Sequence, residues 1–145
     1  MNDYAGLVTR AIAFAIDAAI INLAAAVVAV VVGLGVSVLD VPDAVVTAAV
    51  AAGGVAYLVW TVGYFATFWS TTGQTPGSRV MGIRVVCTQG DDAISLRRAL
   101  TRLAGMVLAA IPFFAGFLVI AIDDRRRGLQ DRLARTLVLY VPAAK

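Results

Sequence analysis

The stretch AAIINLAAAVVAVVVGLGV, residues 18–36, contains no charged residue. As a helix rising 1.5 Å per residue it extends about 28 Å. That is close to the roughly 30 Å hydrocarbon thickness of a bilayer. The whole chain agrees with a membrane reading. Of its 145 residues 61% are hydrophobic and 14% charged, with a mean hydropathy of +0.89. A soluble domain has roughly 45–50% apolar and 25% charged residues. A chain of this length makes one domain. The expected fold is therefore an all-α membrane protein spanning residues 1–145 as a single unit.

Working outward, the first span is read over residues 7–34 and the second over residues 44–69, with SVLDVPD breaking the helix at Pro42. A cleaved leader is not expected, because only Arg10 precedes the apolar run and Asp17 interrupts it, whereas a signal peptide needs a basic start and a clean apolar stretch. The second span begins with small residues, Ala52, Gly53, Gly54 and Ala56, which allow close helix contacts. It ends on Trp60, Tyr64, Phe65 and Trp69, read as an interfacial belt. A basic loop follows over residues 70–102. Within it, GIRVVCT, QGDD and AISL read as a β-hairpin turning at Gly90–Asp91, and Ser95 reads as a helix cap. A third apolar run covers residues 103–122, and a basic tail covers residues 123–145.

Arginine sets the expected topology. Residues 70–102 carry Arg79, Arg84, Arg97, Arg98 and Arg102, while the loop between the first two spans carries no base. Cytoplasmic loops are the arginine-rich ones, so the N-terminus and the basic loop are expected in the cytoplasm of a bacterial inner membrane. The tail carries Arg125, Arg126, Arg127, Arg132, Arg135 and Lys145. A full third crossing would export that cluster. The expectation is a re-entrant hairpin over residues 103–122, bent near Pro112, with a third full span as the alternative. The strand-like runs Arg84–Val86 and Leu137–Leu139 then meet on one side and pair, since short strands need a backbone partner.

Chemistry is constrained by what is missing. The chain has no histidine, no glutamate and one cysteine, Cys87. No metal site, cofactor or enzymatic activity is expected, because neither a nucleophile–base pair nor a ligand cluster is visible. Nucleic acid is not an expected partner. Cys87 reads as a small hydrophobe. The loop TTGQTPGSRVMGIRVV, residues 71–86, is not a phosphate-binding P-loop: Gly73 and Gly77 are one residue too close, and no lysine follows.

Set together, RAIAFAID from Arg10 to Asp17, GQTPGSRVMGIRVV, and DDRRRGLQDRLARTLVL resemble the RDD family of bacterial membrane proteins, named for one arginine and two aspartates. The matching positions are Arg10, Asp17, Gly73, Thr75, Gly77, Gly82, Val85, Asp131, Thr136 and Val138. Gln130 stands where the family often has histidine, and Arg135 where glycine is common. The resemblance implies a membrane role for which transport, including cation/proton antiport in some members, has been suggested.

A carboxylate inside a span costs roughly 2.5–3.5 kcal/mol on insertion scales, so Asp17 needs partners. Arg10 lies on nearly the same helix face but about 10 Å away along the axis. Asn22 is turned about 140° from Asp17. The expected charge network pairs Arg10 with Asp131 and brings Arg102, or another loop arginine, to Asp17. Arg125, Arg126 and Arg127 read as a solvated flank able to hold anionic lipid headgroups. Two spans and one re-entrant run do not readily enclose a pathway. The expected function is a non-enzymatic accessory or stabilising subunit associating with other membrane subunits or with itself. The alternative is an oligomeric transporter using Asp17 for cations or protons.

Overall fold

A computed structural model describes residues 4–39, 41–90, 94–111, 113 and 115–141. Two long helices dominate: α1 (Leu7–Leu39) and α2 (Asp43–Thr71). Both are long and apolar enough to cross a membrane by length and composition. The chain reverses between them at Pro42, which lacks an N–H and so suits a helix start. The Pro42 carbonyl accepts from Val45 N at 2.8 Å. Asp40, read as part of this loop, lies outside the described residues.

The rest of the chain gathers at the opposite end of the helix pair, in the order α3 (Pro76–Val80), β1 (Ile83–Cys87), α4 (Leu96–Ala110), α5 (Ala115–Ile122), α6 (Leu129–Ala134) and β2 (Thr136–Tyr140). β1 and β2 pair antiparallel with Arg84 opposite Leu139, Val85 opposite Val138 and Val86 opposite Leu137, which is the expected pairing. Both outer edges are also used. Val85 N donates to Gly73 O at 2.8 Å, and Ala5 N donates to Val138 O at 2.9 Å. The segment before α1 is thereby tied to the last strand.

The expected hairpin is not the arrangement found. After Cys87 there is a single bridge to Gly90, and residues 94–95 form no strand. Ile94 is instead buried in the core, and the Ser95 hydroxyl accepts from Arg98 N to cap α4. Burial of one side chain and capping of a helix outweigh two more strand residues. The Asp91 half of the expected turn lies outside the described residues.

The apolar run over residues 103–122 is not one helix. α4 ends at Ala110 and α5 begins at Ala115, with Phe113 between them at φ 48°. Pro112 itself lies outside the described residues. A Cβ on Gly116 would sit 2.7 Å from Ala109 Cα, so α5 folds back against α4. α4 buries Ala99, Arg102, Gly105 and Ala109, a stripe at helical spacing. α1 buries Ala13, Asp17 and Ile21, again one face.

The core joins Ala5, Ala13 and Ile21 with Phe65, Trp69 and residues from β1, α4 and β2. Phe65 and Trp69 are therefore interior residues rather than belt residues. Phe65 stacks on Phe14 with ring centres 5.7 Å apart. Trp60 remains exposed, as a belt residue would be. The aromatic end of α2 serves both purposes because only its last two turns meet the packed end.

Gly105 sets the distance between α4 and α6: a Cβ there would lie 2.7 Å from Gln130 Cα. Gly105→Val is expected to destabilise the protein by about 1–3 kcal/mol through overpacking. Denaturant titration in detergent measures this. An unchanged midpoint would contradict the close approach of α4 to α6.

Candidate functional site

Asp131, fully buried, is the centre of a tail-to-helix clamp. It lies in the first turn of α6, where its Oδ2 accepts from Gly128 N at 3.0 Å. A carboxylate reaching back to the N–H that opens its helix satisfies a donor that the helix leaves free. Arg10 Nη1 donates to the same Oδ2, and Arg102 Nη1 donates to Oδ1. Thr136 Oγ1 accepts from Arg102 Nη1 at 2.9 Å. The remaining Arg10 donors are also engaged: Nη2 bonds Arg126 O at 2.6 Å and Nε bonds Ala5 O at 3.0 Å. The Arg102 guanidinium lies 5.0 Å from the centre of the Trp69 ring. Burial pushes the Asp131 carboxyl up, but the charges of Arg102 and Arg10 and the Gly128 N–H overcome it and hold it below the usual carboxylate range.

Asp17 forms a separate centre. Its side chain is buried, and three neutral donors serve it: Thr75 Oγ1 at 2.5 Å, Gly77 N at 2.8 Å and Tyr64 Oη at 2.9 Å. The loop between α2 and β1 is shaped to deliver them. Thr75 caps α3, its hydroxyl accepting from Ser78 N, and Pro76 occupies the first helical position, where its missing N–H costs nothing. Gly77 then reaches α1, where a Cβ would lie 2.1 Å from Ala13 O. No side chain fits there. Gly73 enters the loop at φ 69°, a left-handed conformation suited to glycine. Gly82 leaves α3 at φ 61°.

The expected Arg102–Asp17 contact is corrected by this geometry. Arg102 is committed to Asp131, and no described arginine pairs with Asp17. The reason is position: Arg102 lies on the α4 face that packs against α6, whereas Asp17 is covered by α3. Tyr64 was read as belt or packing and is instead an Asp17 ligand. Asn22 accepts from Tyr57 at 3.2 Å and takes no part at Asp17.

The three flank arginines are not alike. Arg125 is exposed. Arg126 is half-buried at φ 49°, its carbonyl accepting from Arg10 and its Nη1 donating to Tyr4 O at 3.5 Å. Arg127 pairs with Asp123 at 3.2 Å, and Arg132 joins the same carboxylate at 2.7 Å. Hydrogen bonds from Arg127 hold Asp123 well below the usual carboxylate range. Cys87 accepts from Arg98 Nη1. Among the described residues no three of His, Cys, Asp and Glu gather to hold a metal ion.

One arginine and two aspartates thus organise the packed end, and the profile of the RDD family matches residues 4–135. The chain belongs to the RDD family. It is 33% identical over 66 residues to the uncharacterized protein YxaI of Bacillus subtilis, covering 46% of this chain and 42% of that one. It is 32% identical over 89 residues to a proline-rich antigen homolog of Mycobacterium tuberculosis, covering 61% of this chain and 36% of the relative. It is 34% identical over 77 residues to the uncharacterized protein RP437 of Rickettsia prowazekii, covering 52% and 42%. The chain therefore spans less than half the length of these relatives. No solved structure matches it. In this RDD protein, then, the arginine and the second aspartate form one bond, while the first aspartate stands apart on neutral donors.

The two centres respond differently to loss of charge. Asp131→Asn strands two buried guanidinium groups and is expected to cost about 3–5 kcal/mol. Asp17→Asn keeps the shape and leaves one donor mismatched, costing about 1–3 kcal/mol. Chemical unfolding of both variants tests the order, and equal losses would contradict it. Because the Asp131 carboxyl is held below its unfolded value of roughly 3.9, its contribution is fully present above that pH. It is lost as pH falls through the lower folded value. Unfolding midpoints are expected to stay level from neutral pH down to about pH 5 and to drop below about pH 4. Asp131→Asn should lessen that drop, the remainder coming from Asp123, whose carboxyl is also held low by Arg127 and Arg132.

Proposed function

We propose that this RDD protein works by association, as an accessory or stabilising subunit of a larger membrane assembly. One observation carries the reading. A Cβ added to Gly33, Gly35, Gly53, Gly54 or Gly63 would meet nothing within 4 Å. Glycine inside a helix is about 1 kcal/mol less favourable than alanine. In membranes such glycines serve close backbone contact with another helix. These glycines have no such contact among the described residues. Over residues 22–39 and 41–60 no described residue is buried, so lipid and foreign helices are what remain to cover them.

In this reading α1 and α2 cross the inner membrane of a bacterium, and the packed end lies on the cytoplasmic side with both termini. The arginines of the packed end favour that side. The α4–α5 hairpin enters and returns, since Phe113, Ile111 and Leu118 are exposed apolar residues at and near its tip and α6, which follows α5, packs back against α4.

A second reading, a cation or proton transporter, rests on Asp17 being a buried carboxylate without a counter-charge. Against it, the three donors that hold Asp17 fasten a loop rather than line a path.

Replacing Gly53 and Gly54 by leucine tests the association. The added side chains meet open space, so the fold is expected to keep its unfolding midpoint while the assembly seen by native gel or native mass spectrometry in mild detergent shrinks. A wild-type protein that is a lone monomer in both detergent and lipid nanodiscs would remove the reading. Proton-coupled cation flux in vesicles of the purified protein, abolished by Asp17→Asn, would replace it with the second.

A further inference from the structure

A cavity of about 440 Å³ opens beside α6 and the ends of β1 and β2, lined by Thr88, Arg127, Asp131, Arg132, Arg135 and Thr136. This volume lies within the roughly 300–1,000 Å³ of small-molecule sites. Its buried floor is Asp131 and Thr136, already satisfied by Arg10 and Arg102. Its rim is basic. Arg127 and Arg132 share one carboxylate, Asp123. The Arg135 side chain has no hydrogen-bond or ion-pair partner among the described residues. Counting the floor's own partners Arg10 and Arg102, five guanidinium groups meet two carboxylates, Asp123 and Asp131, among the described residues. The excess charge is positive and is gathered at one opening.

Arg135 carries a second observation. It ends α6 at φ 53°, ψ 51°, the left-handed position that glycine fills without strain. An arginine tolerates it at a conformational cost that its own packing does not offset, because the side chain is exposed. Its carbonyl accepts from Thr88 N at 3.1 Å, so the turn is held by the backbone and the side chain is left facing outward. Here that side chain meets the rim of a basic cavity. The opening also lies near apolar surface, since Arg127 follows the last residue of α5, the exposed Ile122, by five positions.

We propose that this pocket is a binding site for a phosphate group, with Arg135, Arg127 and Arg132 as its ligands. Planar guanidinium forks match phosphate oxygens in pairs. The phosphate comes from an anionic phospholipid headgroup, because Asp123, held by the rim residues Arg127 and Arg132, directly follows the exposed apolar Ile122 of α5. A free phosphate offers the same oxygens and is the competing source. A nucleotide is a poorer fit, since no aromatic side chain lines the cavity to stack on a base.

The experiment uses the full chain in mild detergent, titrated with phosphatidylglycerol, phosphatidylcholine or inorganic phosphate and read by native mass spectrometry and thermal shift. Phosphatidylglycerol is expected to be retained over phosphatidylcholine. Arg135→Gln should weaken that retention about fivefold, the effect of one base near an anionic headgroup. Arg125→Gln, an exposed arginine outside the pocket, should not change it. Arg135→Gln alters an exposed side chain, so its unfolding midpoint without lipid should match wild type. Stabilisation by inorganic phosphate that is lost in Arg135→Gln, with no preference between the lipids, would keep the phosphate site and assign it to a soluble anion. Equal weakening by Arg125→Gln and Arg135→Gln, or no binding of any probe, would overturn the site.

Discussion

A single carboxylate bears most of the architecture. Asp131 receives Arg10 from α1, Arg102 from α4 and the amide of Gly128 from the entry to α6, so three helices are fixed by one side chain. Burying an ion pair gains little net stability, since desolvation offsets attraction. What it gains is register. Arg10 can satisfy Asp131, Arg126 O and Ala5 O together only at one rotation of α1, and that rotation turns Asp17 towards the loop carrying Thr75. The helix is apolar nearly all round, and apolar surface alone would leave its rotation undetermined.

Asp17 then works as a docking post. Its oxygens take an amide and two hydroxyls, each from a different place: Gly77 of α3, the cap Thr75 and Tyr64 of α2. Glycine at position 77 lets the backbone come close enough to donate, and Gly73 turns the chain to reach it. The same loop continues into β1, whose pairing with β2 returns the chain to Ala5 and the start of α1. The packed end is a closed ring of contacts, whereas no described residue in the far halves of α1 and α2 is buried.

Much of this was legible in the residues. Apolar runs of bilayer length marked α1 and α2, Pro42 marked their junction, and the arginine distribution with two short apolar runs led to the β1–β2 pairing. Arg10 and Asp131 were matched because a C-terminal segment lying flat against the membrane brings Asp131 to the end of the first helix that carries Arg10. Tyr64 escaped because an aromatic residue close to the end of a span reads equally well as belt, and only the rotation of α2 separates the two. Arg102 was assigned to the wrong carboxylate because sequence does not reveal which face of α4 meets α6. That choice is made by Gly105, where the backbones touch. The hairpin failed where a cap at Ser95 and the burial of Ile94 competed with strand formation.

The bond from Arg10 to Asp131 links residues 121 positions apart. During synthesis at roughly 5–20 residues per second, α1 leaves the ribosome and waits roughly 6–24 s before its partner exists. Asp17 waits only about half as long, because Thr75 and Gly77 come 58 and 60 residues after it. The loop residues that seat α1 are therefore made well before the tail residue that locks it. A chain interrupted between those two points exposes an unmatched arginine at the membrane surface, a marker by which an unfinished molecule differs from a finished one.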